Sequence, residues 1–296
     1  VTQSPAQTFG GILSALVTPY RADFSLNEEI IPGLIDHELA QGVAGFYVGG
    51  STGEAFLQSP EERGRLIAAV ARAAKGRGTL IAHVGTIATE DTLRIARSAA
   101  DAGFDAVSAI PPFYYDFSAA ELIAHYKALA AATPLPVVVY NFGGRTGKLG
   151  PNEIMQLLDD PRIIGIKHTS QDLFQLERFK AHRPDAVVYN GYDEMCLGGL
   201  AMGADGAIGT TYNFMGHLFV ALYKAFQEGR MAEALALQKR ANRVIEVLID
   251  VGVFPATKGF LKLQGFDCGE CRAPFRRLDA KDWQKLEACA AEFLND

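Results

Sequence analysis

The sequence predicts an α/β fold, and within that class a (β/α)8 TIM barrel with appended C-terminal helices. Three observations lead there. Eight short apolar runs alternate with longer amphipathic stretches along the chain. Most of the runs are nearly continuous in apolar residues, the pattern of parallel strands buried on both faces. No G-x-G-x-x-G follows the first run, which disfavours an open, doubly wound sheet as the arrangement of the same units. Eight βα units in series then close into a barrel.

The strands are expected, in order, at 12–18, 45–48, 80–84, 106–110, 137–140, 163–167, 186–189 and 206–209. Helices are expected between them, among others at 59–75, 89–102, 118–131 and 213–228. Two of these open with capping signals, Ser59 with Glu62 three residues on and Ser118 with Glu121. Further helical stretches follow at 231–250, 253–263 and 280–294. No linker or low-complexity segment sets them apart. The expected organisation is one domain over 1–296, with the barrel at 11–228 and a helical extension at 229–296.

Length and composition agree with this. A chain of 296 residues with 49% hydrophobic residues buries a large core without disulfides. Net charge is −6 and the charges are interspersed, with no basic stripe. Nucleic acid and anionic membrane are therefore not expected as partners, and an anionic substrate has to be held by local groups. No apolar stretch reaches the roughly 18 residues of a membrane span. The opening stretch lacks a basic segment followed by an apolar core, so no secretory signal is expected and a cytoplasmic location is the default. Cys196, Cys268, Cys271 and Cys289 are the cysteines. The lone C-x-x-C at Cys268 and Cys271 has no second pair or nearby histidines, so the thiols read as structural or surface groups in a reducing compartment.

In a barrel, chemistry collects at the C-terminal ends of the strands. After the second strand comes Gly49-Gly50-Ser51-Thr52-Gly53-Glu54. Such a turn aims backbone N–H groups and two hydroxyls at an anion, or simply caps the next helix. The fifth strand ends in Tyr140-Asn141 and places a phenol at the mouth or in the core. The sixth ends in Lys167-His168-Thr169-Ser170. Lysine at the end of a buried apolar run is rare. Burial lowers its pKa and favours the neutral amine that attacks a carbonyl, unless the side chain snorkels to solvent. The seventh ends in Tyr189-Asn190-Gly191-Tyr192-Asp193-Glu194, where two carboxylates either meet sugar hydroxyls or complement a helix N-terminus. The eighth ends in Gly209-Thr210-Thr211.

Taken together, the motifs GGSTGEAF (49–56), AHVG (82–85), PPFYY (111–115), VVVYN (137–141), GIKHTS (165–170) and GADGAIGTTYN (203–213) are a specific set. On them the chain resembles the dihydrodipicolinate synthase and N-acetylneuraminate lyase superfamily, from about Gly11 to the C-terminal helices. Ser51-Thr52 in the turn, K-x-T-S-x-D-L from Lys167, Y-N-G-Y-D-E from Tyr189 and F-Y-Y-x-F-S from Phe113 resemble the lyase branch. The resemblance implies a class I, Schiff-base, pyruvate-dependent aldolase that cleaves N-acetylneuraminate to pyruvate and N-acetylmannosamine. It implies Lys167 as the Schiff-base lysine and Tyr140 as the acid/base. Ser51 and Thr52 would hold the keto-acid carboxylate. Tyr114 would reach across a subunit interface. Thr169, Gly191, Asp193, Glu194 and Thr210 would bind the sugar part. No metal or cofactor is implied, the partners are pyruvate and an aldehyde or sugar, and the assembly is a homotetramer.

One departure stands out. Phe142-Gly143-Gly144-Arg145 follows Tyr140-Asn141, where the lyase branch usually carries proline and then an apolar residue at the place of Arg145. The synthase branch has arginine there, gripping a second carboxylate with its planar fork. The alternatives are therefore a synthase-like or keto-sugar-acid aldolase or dehydratase whose carboxylated second substrate meets Arg145, or Arg145 paired with Asp193 or Glu194. A barrel that binds a keto acid or sugar without catalysis is the remaining reading.

Overall fold

The computed structural model describes residues 4–143 and 149–293. A short helix, α1 (Pro5–Phe9), leads into β1 (Gly11–Ala15). There follow α2 (Ile31–Ala40), β2 (Gly45–Val48), α3 (Pro60–Ala74), β3 (Thr79–His83), α4 (Thr89–Asp101), β4 (Ala106–Ala109) and α5 (Ala119–Ala132). The second half runs β5 (Val137–Asn141), α6 (Pro151–Leu158), β6 (Ile163–His168), α7 (Leu173–His182), β7 (Val187–Asn190), α8 (Cys196–Ala201), β8 (Gly206–Gly209) and α9 (Tyr212–Gln227). The chain finishes with α10 (Met231–Val251), α11 (Val253–Leu263) and α12 (Ala280–Phe293). The eight strands are parallel, pair in sequence order and close through β1 and β8, with Gly11 opposite Gly206 and Ser14 opposite Gly209.

Two cores follow from the pleat. Alternate side chains point inward, and Leu13, Tyr47, Ile81, Val138, Tyr140, Val187, Tyr189 and Ile208 fill the barrel. The other face packs the helix ring through residues such as Phe46, Val139, Ile166 and Val188. The expected caps form as capping boxes. Ser59 Oγ accepts from Glu62 N at 3.2 Å while Glu62 Oε2 accepts from Ser59 N, and Ser118 with Glu121 repeats the arrangement.

The expected elements are present, with shifted edges. The first strand stops at Ala15 rather than reaching residue 18. Past it, side chains replace the ladder: Val17 N donates to Asn213 Oδ1 at 2.9 Å and Thr18 Oγ1 donates to the Gly53 carbonyl at 2.7 Å. Helix α1 was not anticipated. It closes the N-terminal end of the barrel, with Phe9 packed on the interior cluster and its carbonyl accepting from Tyr189 Oη. Helices α10, α11 and α12 pack on one another, and α10 and α11 also on α9. Helices α10 and α11 reach over the C-terminal ends of the strands, where Leu248, Val251 and Phe254 line the barrel mouth. No helix among the described residues is long and apolar enough to cross a membrane.

Candidate active site

The direction in which Lys167 points depends on an irregularity in β6. Val137 pairs with Ile163 but Val138 pairs with Gly165, so β6 carries one extra residue there. Ile164 faces the barrel interior, and unbroken alternation would send Lys167 outward. The bulge resets the phase. Ile166 then joins the outer core and Lys167 turns into the barrel. Glycine is required beside this step, because a Cβ on Gly165 would lie 2.0 Å from the Val187 carbonyl oxygen.

Lys167 is buried, at 5% exposure. Its Nζ lies 4.5 Å from the centre of the Tyr47 ring and 4.4 Å from that of Tyr140, which meet edge to face. Burial pulls its pKa down to about 7, and the Asp193 carboxylate opposes that shift. Near neutral pH a sizeable share of the amine is therefore unprotonated. Tyr47 does not compete for the proton: burial holds its phenol well above the ordinary range, and Tyr47 Oη donates to Ser108 Oγ at 2.9 Å.

A cavity of about 470 Å³ opens above Lys167 at the C-terminal ends of the strands. Its walls include Ser51, Thr52, Tyr140, Thr169, Gly191, Asp193, Glu194 and Thr210, which the sequence had singled out, and also Tyr47, Phe142 and Tyr192. Thr52 Oγ1 and Thr210 Oγ1 share a hydrogen bond of 2.8 Å, which joins the turn after β2 to the end of β8. The buried Thr169 hydroxyl has no hydrogen-bond partner among the described residues. Gly191 permits that hydroxyl its place, since a Cβ there would lie 1.9 Å from Thr169 Oγ1. An unpaired buried hydroxyl at a cavity wall is a ready contact for a polar ligand. Asp193 starts the short 3₁₀ turn Asp193–Met195. One of its oxygens is taken by Thr211, whose N and Oγ1 donate to Oδ2 at 2.8 and 2.7 Å. Burial nevertheless raises its pKa to about 6.

The turn 49–54 is anchored from outside the barrel. Glu54 is in the left-handed region, with φ of 59°, and its carboxylate is buried. Glu54 Oε1 accepts from Lys258 Nζ of α11 at 2.7 Å and Oε2 from Arg272 N at 2.7 Å. The C-terminal extension thus grips the turn that carries Ser51 and Thr52.

One singled-out residue among the described ones is not in the cavity wall. Tyr114 is 85% exposed with φ of 79°, its ring edge-on to Tyr115, so within one chain it points to solvent. Arg145 lies outside the described residues. Tyr47 was missed, although a tyrosine inside an apolar run is the same signal that marked Tyr140. His83 was missed because its motif showed a strand end and nothing more. The four cysteines are all buried, and burial pushes the thiols of Cys268 and Cys271 up to about 12. A larger cavity of about 710 Å³ lies between the β1–α2 loop and the C-terminal helices. It is lined by Lys258 and Cys271 but by none of the residues named above as walls of the first cavity. Its cations are paired, Lys258 with Glu54, Lys262 with Asp267 and Arg276 with Asp282. Among the described residues, no group of three or more His, Cys, Asp or Glu is placed to hold a metal.

The chain as a whole is similar to known proteins. The model of the dihydrodipicolinate synthetase family matches residues 8–292. The chain is 56% identical over 284 residues to an N-acetylneuraminate lyase of Rhizobium meliloti, covering 96% of this chain and 95% of that one. It is 45% identical to an N-acetylneuraminate lyase of Citrobacter koseri, covering 98% and 99%. Among solved structures, a catalytic lysine mutant of the Ruminococcus gnavus sialic acid aldolase superimposes with a TM-score of 0.95. The two are 30% identical, with 98% of this chain and 97% of that one covered.

Proposed function

We propose, for a chain that belongs to the dihydrodipicolinate synthetase family, that it is a carbon–carbon lyase cleaving N-acetylneuraminate to pyruvate and N-acetylmannosamine through a Schiff base on Lys167. The observation that carries this reading is the inward-turned, buried Lys167, partly neutral near pH 7, at the base of a cavity edged by hydroxyls and carboxylates. Lyases of this activity at 56% and 45% identity over nearly the whole chain support it.

The chemistry follows from the geometry. The neutral Nζ adds to the keto carbon of the open-chain sugar acid and water leaves, giving a protonated imine. The C3–C4 bond then breaks. Its electron pair moves toward the imine nitrogen to form an enamine, and the C4 hydroxyl loses its proton. Tyr140, whose ring lies against Nζ, takes that proton directly or through the substrate carboxylate. The aldehyde departs, the enamine is protonated at C3, and hydrolysis frees pyruvate and Lys167. The faces of Tyr47 and Tyr140 favour the protonated, cationic form of the imine, the form that draws the electron pair of the breaking bond.

Ser51 and Thr52 hold the keto-acid carboxylate, while Thr169, Gly191, Asp193, Glu194 and Thr210 receive the sugar hydroxyls. Tyr114 completes a neighbouring subunit's proton relay, which accounts for an exposed tyrosine in left-handed geometry. Such a relay requires at least a dimer, and the assembly proposed from the family resemblance is a homotetramer, active in the cytoplasm. The chain acts as one unit over 1–296, with the barrel at 11–228 and residues 229–296 as an extension tied in through Lys258 and Glu54.

Pyruvate release from N-acetylneuraminate tests the reading. The protein should release pyruvate, Lys167→Ala should release none, and Tyr140→Phe should be slower by about 10²-fold. No release with the sugar acid, but turnover of a substrate bearing a second carboxylate, would overturn it in favour of the alternative built on Arg145. Binding of the sugar acid without any turnover would favour a non-catalytic barrel.

A further inference from the structure

We infer that His83 is a positioning residue of the Lys167 site. Through hydrogen bonds at both ring nitrogens it ties the turn that carries Ser51 and Thr52 to the start of the loop that carries Tyr114. The inference rests on the reading of Lys167, Ser51 and Thr52 given above.

His83 ends β3 and is 1% exposed. It does not line the cavity. Its ring stands edge-on to Tyr140 at 5.9 Å and tilted to Tyr47 at 6.0 Å, behind the two rings that flank Lys167. Its two nitrogens have fixed roles. Nδ1 is 2.9 Å from the Gly49 carbonyl oxygen, which can only accept, so Nδ1 carries the hydrogen. Nε2 is 3.2 Å from the backbone N of Ile110, which can only donate, so Nε2 is the acceptor. Both bonds are made by one species, the neutral imidazole protonated at Nδ1.

The surroundings hold the ring in that form. Burial and the nearby charges of Arg63 and Lys167 keep its pKa well below the ordinary histidine value. Arg63, itself 2% exposed, donates from Nη1 to the Gly85 carbonyl at 2.8 Å and from Nη2 to the His83 carbonyl. Its Nη2 also stands 3.2 Å from Nδ1, but the hydrogen of Nδ1 is directed at Gly49. A second proton on the ring would put a hydrogen on Nε2 against the N–H of Ile110.

The two bonds act on different pieces of the site. Gly49 is the first residue of the turn and has φ of 71°. The far end of that turn is fixed by the Glu54 carboxylate and by the Gly53 carbonyl, which accepts from Thr18 Oγ1 and from Gln58 Nε2 at 2.6 Å. The near end begins with two glycines, the most freely moving backbone, and His83 meets it there. Ser51 and Thr52 sit between the two anchors. Ile110 directly follows β4 and opens the stretch Pro111–Tyr115 with Tyr114 near its end.

Amide variants separate the two bonds. His83→Asn places an N–H donor near the position of Nδ1 and keeps the bond to Gly49. His83→Gln places its amide near Nε2 and keeps only the bond to Ile110. We would measure the pyruvate concentration for half-maximal borohydride trapping on Lys167, with the maximal trapping rate and the thermal midpoint for each protein. The expected result is half-saturation close to that of the unaltered protein for His83→Asn, and a rise of about 10-fold for His83→Gln, the effect of one buried hydrogen bond. Maximal trapping should stay similar in both. Equal half-saturation in the two variants, or changes that only follow the thermal midpoint, would overturn the inference alone. No trapping in the unaltered protein would overturn the Schiff-base reading and this inference with it.

Discussion

At the scale of single residues, the account depends on how an apolar setting changes a lysine. Burial lowers the pKa of Lys167 to about 7, against a model-peptide value near 10.4. Two outcomes follow. Catalytic efficiency should rise with pH up to a limb at about 7 and then level, since the neutral amine is the nucleophile. A lysine in water would keep gaining toward pH 10, and a profile of initial pyruvate-release rates distinguishes the two. The same shift has a stability consequence of known sign. Below about pH 7 the ammonium is buried on folding and the cost is full; between about 7 and 10.5 folding releases a proton and stability rises; above that window the cost is gone. Lys167→Met should accordingly raise the unfolding midpoint most at low pH. Lys167, Tyr140 and the hydroxyls of the turn were legible in the sequence because each is a polar group at the end of an apolar run. Tyr47 and His83 were not singled out, although their roles come from three strands meeting around Lys167, which no single motif displays.

At the scale of elements, two local devices build the site. The bulge in β6 turns Lys167 inward, and nothing in the run Ile163–His168 announces it, because register belongs to the pair of strands and not to either one. The turn after β2 was visible from its glycines, but what holds it was not. Its far anchor is the ion pair of Glu54 with Lys258, whose side chains are 0% and 3% exposed and 204 residues apart in the chain. Lys258→Met should leave the carboxylate buried without its charged partner, facing the Arg272 N–H and the Cys271 thiol. A destabilisation of about 3–5 kcal/mol by denaturant unfolding is expected, the usual cost of breaking a buried pair from one side. A change within a few tenths of a kcal/mol would mean that the pair does not hold the turn. The strand edges were less legible than the strands: at the end of β1 the Asn213 side chain takes the place of a ladder partner, accepting from Val17 N and donating to the Ala15 carbonyl.

At the scale of the whole molecule, the order of the units was the most legible property. Eight apolar runs in series are enough to predict a closed barrel, and the strands pair in that order. Helix α1 escaped because it is only five residues long and closes the barrel floor through a few contacts. That the C-terminal helices furnish part of the mouth, through Leu248, Val251 and Phe254, could not be read from their amphipathic pattern. A net charge of −6 is no obstacle to an anionic substrate when a buried amine, paired hydroxyls and backbone N–H groups meet it locally. The central claim is that Lys167 becomes covalently bound to the keto carbon of pyruvate. Its most direct test is borohydride reduction in the presence of pyruvate, followed by peptide mass spectrometry. The account predicts one adduct per chain, on Lys167, absent from Lys167→Ala. Pyruvate-dependent turnover with no adduct, or an adduct on a different lysine, would contradict it.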